Sequence, residues 1–401
     1  MATRQHEVPT VDLDPFSHDA LGDPAGTDET LRETGEVVWL SAHGIWASGR
    51  YDVVERILRD PETFESSSGT GITNVKTEEN WRKPSVILEN DPPDHTRYRR
   101  VMASVLSARV VRRLTEGFQA SADRLVAGVV ARGEVDAATD LAEAYPMSVL
   151  PDALGFAKEG REHLLPYSTL NFNAAGPRNE LYWNALQAAE YATQFVNWQM
   201  RREAIDQSGL GGIIFAAADA GDISEEDAEM LVRTFLSAGL DTTIFGIQFA
   251  LKALAETPEA WAALKADPAR ARIVFEESLR TWAPSPYIAR TTTREVEIGG
   301  VRMGPAQKVL LSVAAANHDP RRWERPDEFD ITRDTSGHLT FGTGIHGCVG
   351  QMMARMEATC LLTALAQQAE SIELAGTPRI KHINWLRGFE ELPMRLTPRA
   401  A

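Results

Sequence analysis

The sequence predicts a mainly helical fold with small β-sheets. Helical periodicity dominates the region from about 96 to 280, whereas strand signals are short and concentrated in two places. Strands and helices do not alternate as they would in a parallel α/β sheet. The 401 residues could form one large domain or two ordinary ones, and no repeat, low-complexity tract or long linker marks a boundary.

Composition and charge are those of a soluble globular protein. Hydrophobic residues make up 43% and charged residues 24% of the chain, and no apolar run is long enough to span a bilayer. The first residues lack the apolar core of a signal peptide, so we expect a cytoplasmic protein that does not enter a membrane. The net charge of −16 argues against nucleic acid as a partner, because binding phosphates needs a basic face.

The sequence contains two cysteines, Cys348 and Cys360. This small number suits a reducing compartment, and it excludes both a disulfide framework and a tetrahedral zinc site. The chemistry of each cysteine therefore depends on its own surroundings.

The predicted elements follow one another in four groups. A first strand region is "EVVWLSAHGIWASG", near the N-terminus. The helical body includes "RYRRVMASVLSARVVRRLTEGFQASADRLVAGVVAR", "ELYWNALQAAEYATQFVNWQMRREAI" and "PARARIVFEESLRTWA". A second strand region, "EVEIGGVRMGPAQKVLLSVAAAN", precedes a last helix in "VGQMMARMEATCLLTALAQQ".

The longest predicted helix runs from Ser224 to Pro258. Ser224 can cap it, with Asp227 in the capping-box position, and its length would be about 50 Å. Its middle, "AGLDTT", places a glycine in an apolar stretch at a cost of about 1 kcal/mol against alanine, and a buried carboxylate costs more unless it is paired. A polar face turned to solvent is the alternative, but the apolar neighbours leave little room for one. We therefore predict a local distortion at a functional site.

The segment "FGTGIHGCVG" has two interpretations. By glycine spacing it matches the dinucleotide-binding loop G-x-G-x-x-G, and Glu373 lies at about the right distance for that motif. However, the preceding "TSGHLTF" is short and polar, unlike the apolar strand that the motif requires. The second interpretation rests on the cysteine. Cys348 lies at the start of a predicted helix, where free backbone N–H groups and the positive dipole end favour the thiolate form. A single thiolate held in this way is typical of an axial iron ligand; a small buried cysteine in a tight turn, which Cys360 fits well, is the alternative.

Four motifs in family order make the chain resemble the soluble bacterial cytochromes P450, which are haem-thiolate monooxygenases. "FGTGIHGCVG" matches the cysteine-ligand loop F-x-x-G-x-H-x-C-x-G, "AGLDTT" the oxygen-activation segment, "ESLR" the E-x-x-R pair, and "PPDHTRYR" the helix that meets the haem propionates. The resemblance covers essentially the whole chain. It implies the P450 fold, a triangular helical prism with haem between the long central helix and the Cys-ligand helix.

The resemblance also implies a single P450 domain over residues 1–401. Its helix-rich body would occupy about 90–285 and 350–370. A small β-rich part would occupy about 36–50 and 288–315.

Roles for individual residues follow from the same resemblance. Cys348 would be the axial ligand of the haem iron. Asp241 and Thr242 would relay protons, because O–O cleavage consumes protons and a hydroxyl beside a carboxylate can supply them from water. Glu277 and Arg280 would form a buried structural ion pair. The residues that would contact the haem are His95, Arg99, Arg290, Phe341, His346 and Gly350, of which the cationic ones would pair with the propionates.

One departure from the family pattern concerns the third partner of the E-x-x-R pair. The family usually has Arg or His after the "PD" of the segment written here "RPDEFD", whereas this chain has Glu328. Arg325 or Arg333 could substitute, and the sequence leaves both open.

More narrowly, the chain is similar to bacterial P450 enzymes that oxidise para-substituted benzoates and remove O-methyl groups from them. The similarity is carried by "PSVILENDPPDHTR", "GREHLLPYSTLNFNAAGPRNE" and "LVRTFLSAGLDTT", among other segments. It implies a substrate pocket lined by Ser68, Ile72, Phe172, Ala175, Arg233, Thr234, Ser237, Ala238, Ser285 and Ile288.

The carboxylate-binding end of that pocket differs from those relatives. Their loop before the second helix supplies an Arg and a Ser, whereas "SSSGTGIT" has Ser68 in place of the Arg and Gly71 near the Ser. Because an anion leaving water needs a strong replacement, a neutral methoxyphenol or alkylphenol becomes a serious candidate beside a methoxybenzoate. We therefore expect hydroxylation or O-demethylation of a small, para-substituted aromatic compound.

Three other functions are alternatives to this one. A P450 hydroxylase of an unrelated small hydrophobic metabolite is the first alternative. Asp241 and Thr242 argue against a haem-thiolate sensor, which has no use for them, and against a peroxygenase, which usually replaces them.

The resemblance implies haem b as the cofactor and O2 as co-substrate. The chain has no flavin or iron–sulfur motif, so electrons from NAD(P)H would arrive through an external ferredoxin reductase and ferredoxin. The expected basic surface for an acidic partner consists of Arg109, Arg112, Arg113 and Arg355. We expect a monomer.

Overall fold

Helices provide most of the framework in the computed structural model, which describes residues 8–400. The α-helices are α1 (His18–Gly22), α2 (Pro24–Glu33), α3 (Tyr51–Arg59), α4 (Asp94–Val105), α5 (Ala108–Arg132), α6 (Ala144–Leu154), α7 (Leu164–Asn173), α8 (Glu180–Ala188), α9 (Glu190–Gln199), α10 (Leu210–Asp219), α11 (Glu225–Ala238), α12 (Asp241–Glu256), α13 (Pro258–Ala266), α14 (Ala271–Thr281), α15 (Val313–Asn317) and α16 (Gln351–Gln368). A π-helix covers Ala138–Glu143, and short 3₁₀ helices cover Arg161–His163, Arg202–Ala204, Pro268–Arg270 and Gly344–His346.

The strands are short and form small sheets. They are β1 (Thr10–Val11), β2 (Val38–Leu40), β3 (Ile45–Ser48), β4 (Phe64–Glu65), β5 (Glu134–Asp136), β6 (Tyr287–Thr292), β7 (Val296–Ile298), β8 (Val301–Met303), β9 (Lys308–Ser312), β10 (Ala369–Leu374), β11 (Arg379–Ile380), β12 (Phe389–Glu391) and β13 (Pro393–Pro398). One sheet has the order β1-β2-β3-β9-β6-β4 and another β10-β13-β5, and β7 pairs with β8 and β11 with β12. The mainly helical class with small sheets is confirmed. The single domain over 1–401 stays a prediction, and residues 1–7 and 401 lie outside the described residues.

The six-stranded sheet joins the two strand regions that the sequence predicts. β3 pairs in parallel with β9 through Trp46 and Val309, and β6 pairs antiparallel with β9 through Ile288 and Leu311. The prediction that strands are confined to these two regions is wrong, because β1, β4, β5 and β10 to β13 lie outside them. Most of those strands are too short to show a readable alternation of apolar and polar residues.

Two of the long helical segments are interrupted. The segment that begins "RYRR" divides into α4 and α5 at Leu106 and Ser107, and the segment that begins "ELYW" divides into α8, α9 and a 3₁₀ turn. Ser107 is extended, with φ of −64° and ψ of 152°, so the chain turns a corner before α5. Periodicity does not detect such corners, because the apolar pattern continues across them.

The longest predicted helix is broken at its polar middle. The capping box forms at its start, since Ser224 Oγ accepts from the Asp227 N–H and Asp227 Oδ2 accepts from the Ser224 N–H, each at 3.1 Å. Gly239 and Leu240 then separate α11 from α12. The predicted distortion is confirmed.

Helix α12 and the cysteine helix α16 lie in the core. Both pack against α14, and α16 also packs against α5. The stretch Glu225–Glu256 is long and apolar enough to cross a membrane, but 83% of its most apolar window is buried inside the protein. Such burial is typical of the core helix of a soluble protein.

Candidate functional site

The "FGTGIHGCVG" segment, which we call the cysteine turn, presents Cys348 just before α16. The Cys348 N–H donates to the Phe341 carbonyl at 2.7 Å, which joins the two ends of the turn. Gly342 and Gly344 have φ of 64° and 70°, a region that favours glycine. A Cβ at Gly344 would lie 2.5 Å from the Leu58 carbonyl of α3. This glycine is therefore required both by the turn and by its packing.

Burial raises the pKa of the Cys348 thiol above its usual value. The Gly350 N–H and the charge of Arg99 act in the opposite direction but do not outweigh burial. The backbone N–H groups at the helix start lower the thiol pKa, as the sequence predicts, but burial has the larger effect. A metal ion bound at this position would favour the thiolate, because a metal deprotonates a coordinating thiol.

A largely apolar cavity, which we call the Cys348 cavity, lies beside the sulfur. Its apolar walls include Leu150, Phe235, Phe275 and Met353. The predicted site residues that line it are Arg99, Phe172, Thr234, Ala238, Thr242, Ser285, Ile288, Phe341, His346, Cys348 and Gly350. A largely apolar cavity with a cysteine in its lining suits a large hydrophobic group.

A second cavity, which we call the loop cavity, adjoins the first. Its lining includes Thr70, Gly71, Arg82, Asn171, Ala175 and Arg290. Leu88, Phe172, Ala238, Ser285, Ile288 and His346 line both cavities. Several predicted pocket residues therefore lie at the junction between the two spaces.

The predicted propionate ligands include buried donors without acceptors. The rings of His95 and His346 lie 4.2 Å apart, and Nε2 of each is buried without a hydrogen-bond partner. Arg290 is 3% exposed and donates to the carbonyl of its neighbour Ala289 at 2.9 Å. Among residues 8–400, neither Arg99 nor Arg290 forms an ion pair. The cluster therefore has more cationic and donor groups than the protein itself satisfies.

This surplus fits the two carboxylates of a haem. Burial lowers the pKa of His95 to about 4 and that of Arg290 to about 10. Removal from water therefore disfavours the protonated, charged form of both side chains. His346 Nε2 lies 3.7 Å from Asp91 Oδ1, which is too long for a hydrogen bond. Haem propionates would supply the acceptors that these buried groups lack. The residues present therefore fit haem b.

The break between α11 and α12 leaves backbone carbonyls that threonine side chains satisfy. Thr242 Oγ1 donates to the Ala238 carbonyl at 2.8 Å, and Thr243 Oγ1 donates to the Gly239 carbonyl at 3.2 Å. Hydroxyls that bond to a carbonyl four residues earlier often bend helices. Since Thr242 lines the Cys348 cavity, the "AGLDTT" pattern produces both the break and a hydroxyl at the cavity wall.

Asp241 lies next to Thr242 but is buried among other elements. It is 2% exposed, and Thr169 Oγ1 of α7 donates to its Oδ2 at 3.3 Å. Burial raises the pKa of Asp241 to about 6, and the charge of Lys381 acts in the opposite direction. A carboxyl group with such a pKa can take up and release a proton near neutral pH.

Two predicted pocket residues of the "SSSGTGIT" loop do not line either cavity. Ser68 is 3% exposed, but its hydroxyl donates to the Glu65 carboxylate. The Ile72 N–H donates to the Ala175 carbonyl at 2.9 Å, and its side chain lines a separate outer cleft. Their contact with a substrate stays a prediction.

Two further pocket residues, on α11, also lie outside the lining of both cavities. Arg233 is 5% exposed and donates to the Lys83 carbonyl at 2.8 Å. Ser237 Oγ donates to the Thr234 carbonyl at 3.4 Å. Both residues face neighbouring protein, so their role in substrate binding likewise stays a prediction.

The E-x-x-R pair is buried and has a defined third partner. Arg280 Nε donates to Glu277 Oε2 at 2.8 Å, and both side chains are 0% exposed. Arg333 Nε donates to Glu277 Oε1 at 3.1 Å. Arg325 instead pairs with Glu328 at 2.6 Å on the surface. Of the two candidates that the sequence leaves open, the structure selects Arg333.

Sequence reasoning missed three residues at the site. Glu357 of α16 lines the Cys348 cavity at 1% exposure, and burial raises its pKa well above the usual value. A carboxylate on the apolar cysteine helix was a signal that could have identified it. Leu88 and Thr169 carry no such signal, because only the tertiary structure brings them to the cavities and to Asp241.

Comparison with known proteins agrees with this geometry. Residues 164–379 match the family described as Cytochrome P450. The protein named cytochrome p450 CYP199A2, from Rhodopseudomonas palustris, is 49% identical over 392 residues, which cover 98% of this chain and 95% of that protein. The chain belongs to the cytochrome P450 family.

Further P450 proteins match over most of their length. Cytochrome P450 107B1 from Saccharopolyspora erythraea is 30% identical over 364 residues, which cover 87% of this chain and 89% of that protein. The structure of cytochrome P450 CYP109Q5 from Chondromyces apiculatus has a TM-score of 0.84 at 29% identity and covers 98% of this chain and 100% of that one. Epothilone B-bound cytochrome P450epoK has a TM-score of 0.86 at 25% identity, with coverage of 97% and 100%. The P450 fold is confirmed.

Members of the P450 family are monooxygenases that use haem b. When bound, the haem supplies the iron at which O2 is activated, and an axial thiolate favours O–O cleavage. Bacterial P450 enzymes typically receive their electrons from external redox proteins. The chain is accordingly a P450 monooxygenase.

Proposed function

We propose that this P450 hydroxylates or O-demethylates a small, para-substituted aromatic compound of the methoxybenzoate, methoxyphenol or alkylphenol type. The observation that carries the proposal is the largely apolar junction between the two cavities, whose shared lining includes Leu88, Phe172 and Ile288. A substrate ring at this junction would contact Phe172, and aromatic pairs gain energy beyond the area they bury. The segments similar to benzoate-oxidising P450 enzymes support the same substrate class.

The charges around the loop cavity favour a neutral substrate over a benzoate. Arg82 lines this cavity, but it pairs with Glu89 at 2.9 Å and donates to Asn171 Oδ1 at 2.8 Å. Arg290, the other arginine in the lining, is assigned to a propionate. Ser68 bonds to Glu65 instead of facing the cavity. A substrate carboxylate would therefore leave water without a free cation to receive it.

The haem would be held by the residues that the fit points to. Cys348 would bind the iron, with Phe341 and Gly350 beside the sulfur. The propionates would accept hydrogen bonds from His95, Arg99, Arg290 and His346.

Asp241 and Thr242 would move protons. Asp241 would hold a proton at its carboxyl group beside Thr169, and the Thr242 hydroxyl would carry protons at the wall of the Cys348 cavity. This pair supports O2-dependent chemistry over a sensor or a peroxygenase.

Electrons would come from NAD(P)H through a ferredoxin reductase and a ferredoxin. Arg109, Arg112 and Arg113 are exposed on α5 and form no ion pair within residues 8–400, so they suit an acidic partner. Arg355 is not free for this role, because it pairs with Glu276 at 3.1 Å. We propose that the enzyme acts as a monomer in the cytoplasm.

A spin-state titration of the haem-loaded enzyme tests the substrate class. The panel is 4-methoxybenzoate, 4-methoxyphenol, 4-ethylphenol and a non-aromatic compound of similar size, such as a monocyclic terpene alcohol. We expect a shift with the phenols, at a Kd at least about tenfold below that of the benzoate. Turnover of 4-methoxyphenol with a ferredoxin system should yield formaldehyde and hydroquinone in equal amounts. A shift with the benzoate alone would reverse the charge preference, and a shift with the non-aromatic compound alone would favour the unrelated-metabolite alternative.

The proton relay is tested by Thr242→Ala. Without the hydroxyl, we expect product formed per NAD(P)H consumed to fall about tenfold, because a missing relay wastes reduced oxygen as peroxide. The measurement is product, peroxide and NAD(P)H under identical turnover conditions. Thr193→Ala is the matched control, since Thr193 Oγ1 makes the same bond to the carbonyl four residues earlier, at 2.8 Å in α9. Unchanged coupling in Thr242→Ala contradicts the relay.

A further inference from the structure

Lys308 is a buried cation that the proposed chemistry does not use. It opens β9 at 8% exposure, and its Nζ donates to the Ser68 carbonyl at 2.8 Å and to the Gly69 carbonyl at 2.7 Å. Burial lowers the pKa of Lys308 to about 8, which indicates how far the ammonium is removed from water. Lysine is almost never buried unless its charge is compensated. Here two successive carbonyls compensate it, without an ion pair to any residue in 8–400.

One loop carbonyl, that of Gly69, depends on this lysine for its hydrogen bond. The Ser68 carbonyl also accepts from the Val75 N–H at 3.2 Å. The Gly69 carbonyl has no partner other than Lys308 among residues 8–400. Gly69 is buried, with φ of 99°. Loss of the ammonium would therefore leave a buried carbonyl unpaired in a turn that requires glycine.

The next two residues form part of the cavity wall. Thr70 and Gly71 line the loop cavity. The Thr70 carbonyl accepts from the Ala289 N–H of β6 at 2.8 Å. On the other side, a Cβ at Gly71 would overlap the backbone of Ala175. The wall fits tightly between β6 and the end of α7, so a small displacement of the Ser68–Gly69 peptides would change the cavity.

We propose that Lys308 is a positioning residue for the ligand cavity, which holds the carbonyls of Ser68 and Gly69 and thereby keeps Thr70 and Gly71 in the wall. It acts through the loop and lies outside the lining of both cavities. The inference rests on the haem cavity of the proposed function but not on the identity of the substrate. Ligands that fill the cavity should weaken when Lys308 is lost, because a wall that is not pre-organised must be ordered on binding. Ligands that occupy only the space at the iron should bind as before.

Two iron-binding probes of different size test this inference in the haem-loaded enzyme. Imidazole occupies little more than the space at the iron, whereas 4-phenylimidazole also needs room for its phenyl ring between the cavity walls. In Lys308→Met, we expect the Kd of 4-phenylimidazole to rise about tenfold and that of imidazole to change by less than about twofold. Both values come from the shift of the haem absorption band on titration.

The matched control is Lys76→Met. Lys76 belongs to the same region and pairs with Glu65 at 2.8 Å, but its side chain is 48% exposed and does not reach the loop carbonyls. It should leave both Kd values within about twofold. Lys308→Arg, which keeps the charge and several donors, should restore part of the affinity for 4-phenylimidazole.

The results separate positioning from a general structural role. Equal weakening of both probes, or no change in either, overturns the proposal. If Lys308→Met does not yield a haem-loaded protein, Gly69→Ala replaces it in the experiment. A Cβ at Gly69 would lie 2.7 Å from the Thr73 carbonyl and would displace the same peptide. The same split between probes is then expected, and its absence overturns the proposal. Neither probe is a substrate, so a failure of the aromatic-substrate proposal would leave this comparison interpretable.

Discussion

Two glycine-containing loops of this P450 differ in what holds them. In the cysteine turn, the ends of the segment bond to each other, from the Cys348 N–H to the Phe341 carbonyl. The "SSSGTGIT" loop is held by groups that are remote in sequence, namely Asp91, Ala175, Ala289 and Lys308. A loop that satisfies its own backbone leaves a readable motif. A loop that is satisfied by distant partners does not, because its residues need only be compatible with those partners.

The largest expected effect is at the cysteine turn. Cys348→Ser should abolish the absorption band of thiolate-bound haem in the reduced, CO-treated enzyme and lower turnover at least about 100-fold. Cys360→Ser is the matched control, since it changes a buried thiol of α16, at 3% exposure, outside the cysteine turn. It should retain the band. If Cys348→Ser keeps the band, the cysteine turn is not the iron site.

Asp241 is a second case in which remote partners decide a property, because elements far away in sequence set its pKa. The folded-state pKa of about 6 lies above the ordinary 3.8, so the folded protein binds an extra proton between these values. The free energy of unfolding therefore falls as pH rises from about 4 to about 6. Above pH 6 the loss is complete and amounts to about 3 kcal/mol. Asp241→Asn cannot ionise and should be more stable than the wild type at pH 7.5, with the difference shrinking towards pH 4.

Chemical unfolding of the haem-loaded proteins between pH 5 and 8 measures this difference. Asp94→Asn, which changes an exposed carboxylate of α4, is the control and should show no pH-dependent gain. A constant difference between Asp241→Asn and wild type across this range would mean that Asp241 does not titrate as stated.

Substitution of Arg333 and of Arg325 tests which arginine is the third partner of the E-x-x-R pair. Arg333 is 9% exposed beside the fully buried Glu277, whereas Arg325 is 55% exposed. Arg333→Met should lower the free energy of unfolding by about 2 kcal/mol, since it removes one partner of a buried charge. Arg325→Met should change it by less than about 0.5 kcal/mol. Equal effects in denaturant unfolding would reject the assignment of Arg333.

The smallest expected effect is on ligand affinity, for which two predicted pocket residues are compared. Phe172 lies at the junction of the cavities, whereas the Ser68 hydroxyl faces Glu65. Phe172→Ala should raise the Kd of an aromatic ligand about tenfold, because it removes a ring from the cavity wall. Ser68→Ala should change that Kd by less than about twofold, as judged by spin-state titration. A larger effect of Ser68→Ala would mean that this serine contacts the ligand.

Much of the fold and the local structure of the cysteine turn could be predicted from the sequence. The helical class, the capping box at Ser224, the break in "AGLDTT" and the cysteine turn each depend on residues that interact over a few positions. At the same turn, the sequence indicated that the helix start lowers the thiol pKa, but it did not indicate the larger opposing effect of burial.

The pocket could be predicted only in part. Phe172, Ala238, Ser285 and Ile288 meet at the cavities as the resemblance implies. The side chain of Ser68 points elsewhere, since an acid three residues earlier offers its hydroxyl a nearer partner.

The sequence alone determined the family of this protein, because the cysteine turn and the threonine at the helix break are local patterns whose parts satisfy one another. Only the tertiary structure decided the surroundings: which arginine completes the Glu277 pair, which pKa Asp241 has, and what holds the loop at the cavity. Burial, charge compensation and hydrogen bonding to distant carbonyls depend on how the elements pack, and a single segment contains no record of that packing.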